Sequence, residues 1–162
     1  VDLLETFNYL IGLTVQHIAA PQSFAAEFER DSEKRLRLKG RLRPMEDKGT
    51  WGQGDGVNVS MSPSPEVPMS QSWWFRTVSG TTPDGRRTLI IWRKLTGEPE
   101  QDNLVLDEWF SKQDYSTKDY EFQLIYVNGD NNLENLKVPD DTWKVRLIEE
   151  DFHRLMFDTE GV

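Results

Sequence analysis

The chain contains no cysteine, which excludes disulfide bonds, thiolate metal sites and cysteine nucleophiles. It also lacks an apolar run near the roughly 20 residues that a membrane-spanning helix needs. Its first five residues, VDLLE, carry two acids and none of the basic residues that begin a secretory signal. The sequence therefore predicts a soluble protein of the cytoplasm that has no membrane partner.

Large aromatic residues are plentiful, with six Trp and eight Phe among 162 residues. That is enough apolar surface to build one core of ordinary size without metals or disulfides. We therefore expect residues 1–162 to form a single domain. Residues 45–71 are rich in Gly, Pro and Ser, a composition that predicts a long mobile loop within it.

Helical and strand-like patterns alternate along the rest of the chain. Apolar residues at helical spacing predict helices at residues 2–13, 102–112 and 149–156, with Gly12 ending the first and Asp102 as the N-cap of the second. Strand patterns occur at residues 14–18, 35–43, 73–79, 87–92, 122–127 and 143–148. The order predicts an α/β or α+β fold, a mixed sheet of about five strands flanked by helices.

Positive charge is concentrated in one stretch of an acidic chain. Residues 30–43 hold seven bases and two acids, whereas the whole chain has a formal net charge of −9. Within it, RLRLKGRLR at residues 35–43 alternates bases with apolar residues, the period that places all bases on one face of a half-buried strand. These candidate DNA-binding residues are Arg35, Arg37, Lys39, Arg41 and Arg43, with Trp51, Trp73 and Trp74 as candidates for base stacking.

Two alternatives remain open for this basic strand. The bases could serve only to prevent aggregation, as lysines and arginines on edge strands do. If they bind a partner, that partner is either DNA or the acidic surface of another subunit. The net charge of −9 disfavours DNA binding by the chain alone. We therefore expect DNA contact only within a longer polypeptide.

Four blocks resemble one family when they are taken in order. They are VDLLETFNYLIGL at residues 1–13, DGRRTLIIWRKL at 84–95, FQLIYVNGDNNLENLK at 122–137 and TWKVRLIEEDFHRLMF at 142–157. Together they resemble the carboxy-terminal region of site-specific, adenine-specific DNA methyltransferases related to the modification subunits of type III restriction-modification systems. A chain that begins at Val1 rather than Met also indicates a segment cut from a longer protein.

The resemblance implies a non-catalytic accessory domain. Adenine methylation needs an Asp/Asn-Pro-Pro-aromatic loop for a flipped base and a Gly-rich turn for S-adenosylmethionine, and the sequence contains neither. Phe7-Asn8-Tyr9 has the right residue types without the prolines, and it falls in a predicted helix. We expect no catalytic residue, cofactor or metal here, and S-adenosylmethionine to be used by the rest of the enzyme.

The implied partners are the remainder of the methyltransferase chain and, in that context, DNA. The alternative is a protein-docking module that binds a restriction or helicase subunit and never touches DNA.

Three other patterns suggest chemistry, and each has a simpler explanation. Asp84 with Arg93 and Lys94 suggests a nuclease but offers no second carboxylate. Asn128, Asp130 and Asn132 alternate like calcium ligands, yet turn formation explains these residue types better. The glycines at positions 52, 54 and 56 neither follow a strand nor open a helix, as a nucleotide loop would.

Overall fold

A computed structural model describes residues 3–45, 71–118, 121–135 and 143–160 of the chain. Its helices are α1 Leu3–Leu10, α2 Pro99–Lys112 and α3 Ile148–Glu160. Its strands are, in chain order, β1 Thr14–Ile18, β2 Gln22–Ala26, β3 Phe28–Arg30, β4 Leu36–Leu38, β5 Arg43–Met45, β6 Gln71–Thr81, β7 Arg87–Arg93, β8 Leu124–Val127 and β9 Val145–Leu147. None of the described helices is long and apolar enough to cross a membrane.

Seven of these strands form one mixed sheet in the order β9–β8–β7–β6–β2–β5, with β1 also paired to β6. β1 and β2 both run antiparallel to the 11-residue β6, β1 at its Thr81 end and β2 at its Gln71 end. β7, β8 and β9 are parallel, and α2 provides the crossover that parallel neighbours require. The predicted mixed α/β fold is confirmed, with more strands than the five expected.

Each face of this sheet packs against helices. Trp73 and Phe75 on β6 share a core with Trp109 of α2. Val78, on the opposite face of the same strand, packs with Phe7 of α1 in a second core that includes residues of α3. All four residues of β8 are buried, since the strand lies between two parallel neighbours with a core on each face.

The predicted continuous strand at residues 35–43 is wrong. β4 stops at Leu38 and pairs only with β3, in a separate two-stranded sheet. Gly40 then adopts a positive φ of +78°, a conformation that turns the chain and that other residues adopt at a cost. The chain resumes as β5 in the main sheet, where Arg43 lies opposite Ala25 of β2.

Several predicted boundaries also shift. α2 begins at Pro99, so Asp102 is not its N-cap. The buried Asp102 carboxylate instead accepts hydrogen bonds from Trp73 Nε1 at 2.8 Å and Thr96 N at 2.9 Å. Proline is favoured in the first helical turn because its missing N–H is unneeded there. The first helix ends at Leu10, just before Gly12, which has a φ of +68°. The predicted loop at residues 45–71 lies, apart from its two end residues, outside the described ranges.

Candidate nucleic-acid interface

The basic segment, residues 35–43, is fixed to the core by its leucines. Leu42 is only 3% exposed and belongs to the core beneath α2, and half-buried Leu38 packs against the same core. Opposite Leu38 lies Phe28, whose ring centre is 5.6 Å from that of Trp73 in an edge-on arrangement. The inward leucines hold the intervening bases outward, so the predicted alternation survives the break at Gly40.

All five bases of the segment are exposed, but they differ in their partners. Arg35 pairs with Glu33 at 2.7 Å and Asp31 at 3.5 Å, and Arg43 pairs with Glu27 at 3.3 Å. The three in the middle, Arg37, Lys39 and Arg41, form no ion pair or side-chain hydrogen bond with any residue in the described ranges. Only these three have no carboxylate at ion-pair distance among the described residues, although the charges of Arg37 and Asp31 attract each other.

The fold also brings acids toward the segment. β3 carries Glu29 directly opposite Arg37, and Glu27 immediately precedes that strand. Residues 27–43 hold seven bases and four acids, a weaker positive balance than that of residues 30–43 alone. The candidate interface is therefore a short row of cations beside acids, whose attraction for a polyanion acts at close range.

A tight turn holds the amino-terminal end of the segment. The Asp31 carboxylate accepts hydrogen bonds from Arg35 N at 2.9 Å and Glu33 N at 2.8 Å. These bonds, the one from Arg35 foremost, lower the pKa of Asp31 below its ordinary value. Asp31 is consequently a structural acid, and Arg35 is tied to the turn.

The structure separates the two adjacent tryptophans proposed for stacking. Trp73 is 1% exposed, with its ring in the core and its Nε1 bonded to Asp102. Trp74 points to the other face of the sheet and is 40% exposed. Neighbouring strand residues face opposite sides, so only Trp74 presents its ring at the surface, and Trp51 lies outside the described residues.

Trp74 and the end of the basic segment meet on one face of the sheet. Ser23 of β2 lies opposite both Trp74 of β6 and Met45 of β5. Arg43, two residues before Met45, projects from the same face. Trp74 and Arg43 are thus the sequence-predicted site residues that the fold brings together.

Residues that the sequence analysis did not assign to DNA binding complete this face. Arg76 lies two residues after Trp74 and directly opposite Trp92 of β7. Lys94 continues the ladder, since its N–H donates to Trp74 O at 3.1 Å. The period of two in WWFRTV predicts that Trp74 and Arg76 share a face, but the pairing with β7 requires the structure.

The nuclease hypothesis has no support from the geometry. Asp84 precedes β7 and Arg93 ends it, which separates them by on the order of 20 Å. Arg93 is 2% exposed and donates to Asn128 O at 2.9 Å, Asn103 Oδ1 at 2.9 Å and Asp130 O at 3.0 Å. Burial lowers the pKa of Arg93 from its ordinary value, against the opposing effect of Asp102. Its role is to join β7, α2 and the loop after β8.

In the loop with calcium-like spacing, residues 128–132, the Asn128 side chain is used in hydrogen bonds within the protein. The Asn128 side chain accepts from Arg93 N and donates to Arg93 O, both at 3.0 Å. Gly129 has a φ of +85°, as expected of a turn. Across the described ranges, no group of three or more His, Asp or Glu residues is placed to hold a metal.

No protein-family model, curated protein or solved structure matches the chain. The resemblance to adenine methyltransferases therefore stays a prediction, carried by the four sequence blocks.

Proposed function

We propose that this chain is a non-catalytic accessory domain of a DNA adenine-N6 methyltransferase, and that its basic segment contacts the DNA backbone in the complete enzyme. The rest of that enzyme supplies the catalytic loop and binds S-adenosylmethionine. The enzyme class comes from the sequence blocks. The mode of DNA contact comes from the arrangement of the segment.

The observation that carries the DNA contact is the row Arg37, Lys39 and Arg41. These exposed cations lack carboxylate partners among the described residues, although the chain carries 28 acids to 19 bases. Leu38 and Leu42 anchor the row, so little conformational freedom is lost when it binds. Phosphate contacts of this kind position a protein on DNA without reading its sequence.

Two measurements test the enzyme class. The coding sequence before Val1 should encode both a Pro-Pro-aromatic loop and a Gly-rich turn after a strand. Calorimetric titration of the chain with S-adenosylmethionine should give no binding signal. An unrelated upstream sequence, or micromolar donor binding by the chain itself, contradicts the proposal.

Charge reversal in the complete enzyme tests the DNA contact. Arg37→Glu/Arg41→Glu should weaken duplex binding and lower the slope of log affinity against log salt by about 2, because each lost phosphate contact removes about 1. The Arg41→Glu single variant is matched by Lys118→Glu, which changes net charge equally at a surface pair with Glu134. If both single variants bind alike, net charge alone acts and the contact is wrong.

A second candidate function, docking of a restriction or helicase subunit, is favoured by an apolar groove between α1 and α3. The groove has a volume of about 430 Å³ and is lined mainly by Leu3, Ile148, Phe152, Met156 and Phe157. Leu3 and Phe157 are 59% and 58% exposed. A single exposed apolar residue is normal, but several that cluster in one groove are typical of an interaction site. Crosslinking from Phe157 to protein, with none from Lys39 to DNA, would favour this function.

A further inference from the structure

The helices α1 and α3 leave part of one sheet face exposed. α1 and α3 cover this face around Val78 and Ile90. Farther along the same two strands lie Trp74, Arg76, Trp92 and Lys94, which we call the sheet platform. Trp74 is 40% exposed and the other three are half-buried.

The two tryptophans form the walls of a cavity beside the platform. This cavity of about 380 Å³ is lined by Leu3, Leu4, Pro21, Trp74, Arg76 and Trp92. The ring of Trp92 is held in place by buried Phe7, since the two ring centres lie 6.3 Å apart in an edge-on contact. The volume falls within the range of small-ligand sites, roughly 300–1,000 Å³.

Neither cation of the platform has a partner in the part of the chain that the structure describes. The side chains of Arg76 and Lys94 make neither an ion pair nor a hydrogen bond with any residue in the described ranges, and Arg76 Nε is buried without an acceptor. The six described residues that line the cavity include no acid. A partly desolvated guanidinium beside aromatic walls favours an anion that also carries a planar ring.

We propose that the sheet platform binds single-stranded nucleic acid, with an unstacked base on Trp74 and phosphates beside Arg76 and Lys94. Base stacking on exposed aromatic rings, combined with cations that follow the backbone, is how many proteins bind single strands. The platform continues across Ser23 to Met45 and Arg43, the end of the basic segment. This site goes beyond the proposed function, since duplex contact by the basic segment does not require it.

Indole NMR signals of the chain provide a direct test. A thymidine octanucleotide is titrated at roughly 0.1 M salt, where the repulsion from the distant acids of the chain is screened but contacts at the platform are not, with affinity expected on the order of 10⁻⁴ M. The indole N–H signals of Trp74 and Trp92 should shift with the same affinity. Those of buried Trp73 and Trp109, and of exposed Trp143 near β9, should not. No shift at Trp74 at saturating oligonucleotide overturns the proposal.

Variants separate stacking from charge. Trp74→Ala should weaken oligonucleotide binding by about 5-fold or more, the effect of losing one stacked base, whereas Trp74→Phe should retain part of the affinity. Arg76→Gln should weaken binding and flatten its salt dependence. Trp143→Ala and Lys118→Gln are the matched controls and should bind like the parent chain.

Other outcomes are equally informative. If Trp74→Ala and Arg76→Gln fold normally and bind the oligonucleotide unchanged, but lose association with another protein, the platform is a protein interface and the proposal is wrong. The Arg37→Glu/Arg41→Glu variant should leave oligonucleotide contact at Trp74 in place. Failure of the platform therefore leaves the proposed duplex contact standing, and the reverse also holds.

Discussion

Individual arginines in this chain have distinct roles that follow from their partners. Buried Arg93 donates mainly to neutral carbonyl and amide oxygens, so it acts as a structural cross-link. Arg35 and Arg43 are neutralised by carboxylates at the surface. Arg37 and Arg41 have no such partner within the described ranges, which is why the account assigns phosphate contacts to them.

Arg93→Met should lower the free energy of unfolding by about 3 kcal/mol or more, because it leaves buried acceptors in α2 and the loop after β8 without donors. Exposed Arg41→Met, the matched control, should change it by less than about 0.5 kcal/mol. Urea denaturation followed by tryptophan fluorescence measures both. Equal stability of the two variants would show that the Arg93 network contributes little.

Asp107 predicts a pH dependence. Burial raises the pKa of its carboxyl above the ordinary 3.8, although nearby Arg93 opposes this. The protonated acid is therefore favoured in the folded state, and the ionised group destabilises the fold once the pH exceeds its native pKa. Asp107→Asn should be more stable than the parent chain at pH 7, with the advantage disappearing as the pH falls toward 3.8.

Thermal unfolding of Asp107→Asn at several pH values checks this expectation. Glu100→Gln, an exposed change on the same helix, should give no such gain. An Asp107→Asn advantage that grows as the pH falls would contradict the sign of the argument.

At the scale of elements, the sequence predicts faces better than ends. Alternation in residues 35–43 correctly predicts that the bases face outward and the leucines inward, because period two follows directly from strand geometry. It fails at Gly40, where a positive φ interrupts a continuing pattern, and at β2, whose QSFAA is too short and weakly patterned. Asp102 resembles an N-cap locally, but its long-range bond to Trp73 appears only in the folded chain.

The pairing of β1 with β6 depends on Gly80. A Cβ added there would overlap the backbone oxygen of Thr14, and this clash can be relieved only if β1 moves. Gly80→Ala should therefore cost about 2 kcal/mol or more and speed amide hydrogen exchange in β1. Gly85→Ala, with a φ of +87° and open space, should cost only about 1–2 kcal/mol from its backbone conformation. If β1 exchanges no faster in Gly80→Ala, the close approach is wrong.

Leu42 connects packing to the candidate interface. Leu42→Ala should lower stability by about 2–4 kcal/mol because it empties space in the core. It should also weaken DNA binding of the complete enzyme without a change of charge, since the row loses its anchor. Leu36→Ala, a half-buried neighbour, should do both to a smaller extent. Unchanged DNA binding by a destabilised Leu42→Ala variant would show that anchoring is irrelevant.

The whole molecule presents two candidate nucleic-acid surfaces, the basic segment and the aromatic sheet platform. The chain is acidic overall, yet both the basic segment and the sheet platform contain cations without a carboxylate partner in the described ranges. Composition and order of elements predicted the mixed α/β fold. The sequence did not predict the platform, because two strands that are separated by a turn supply it. Five candidate bases were predicted, and contacts between side chains reduce them to three.

Photocrosslinking from position 39 shows whether the basic segment lies against DNA. The complete enzyme of the proposed function, with a photoreactive residue in place of Lys39, is irradiated in the presence of duplex DNA, and the products are separated by mass. The account predicts a DNA adduct that high salt suppresses. Adducts to protein alone, or none while the enzyme remains bound to DNA, would contradict it.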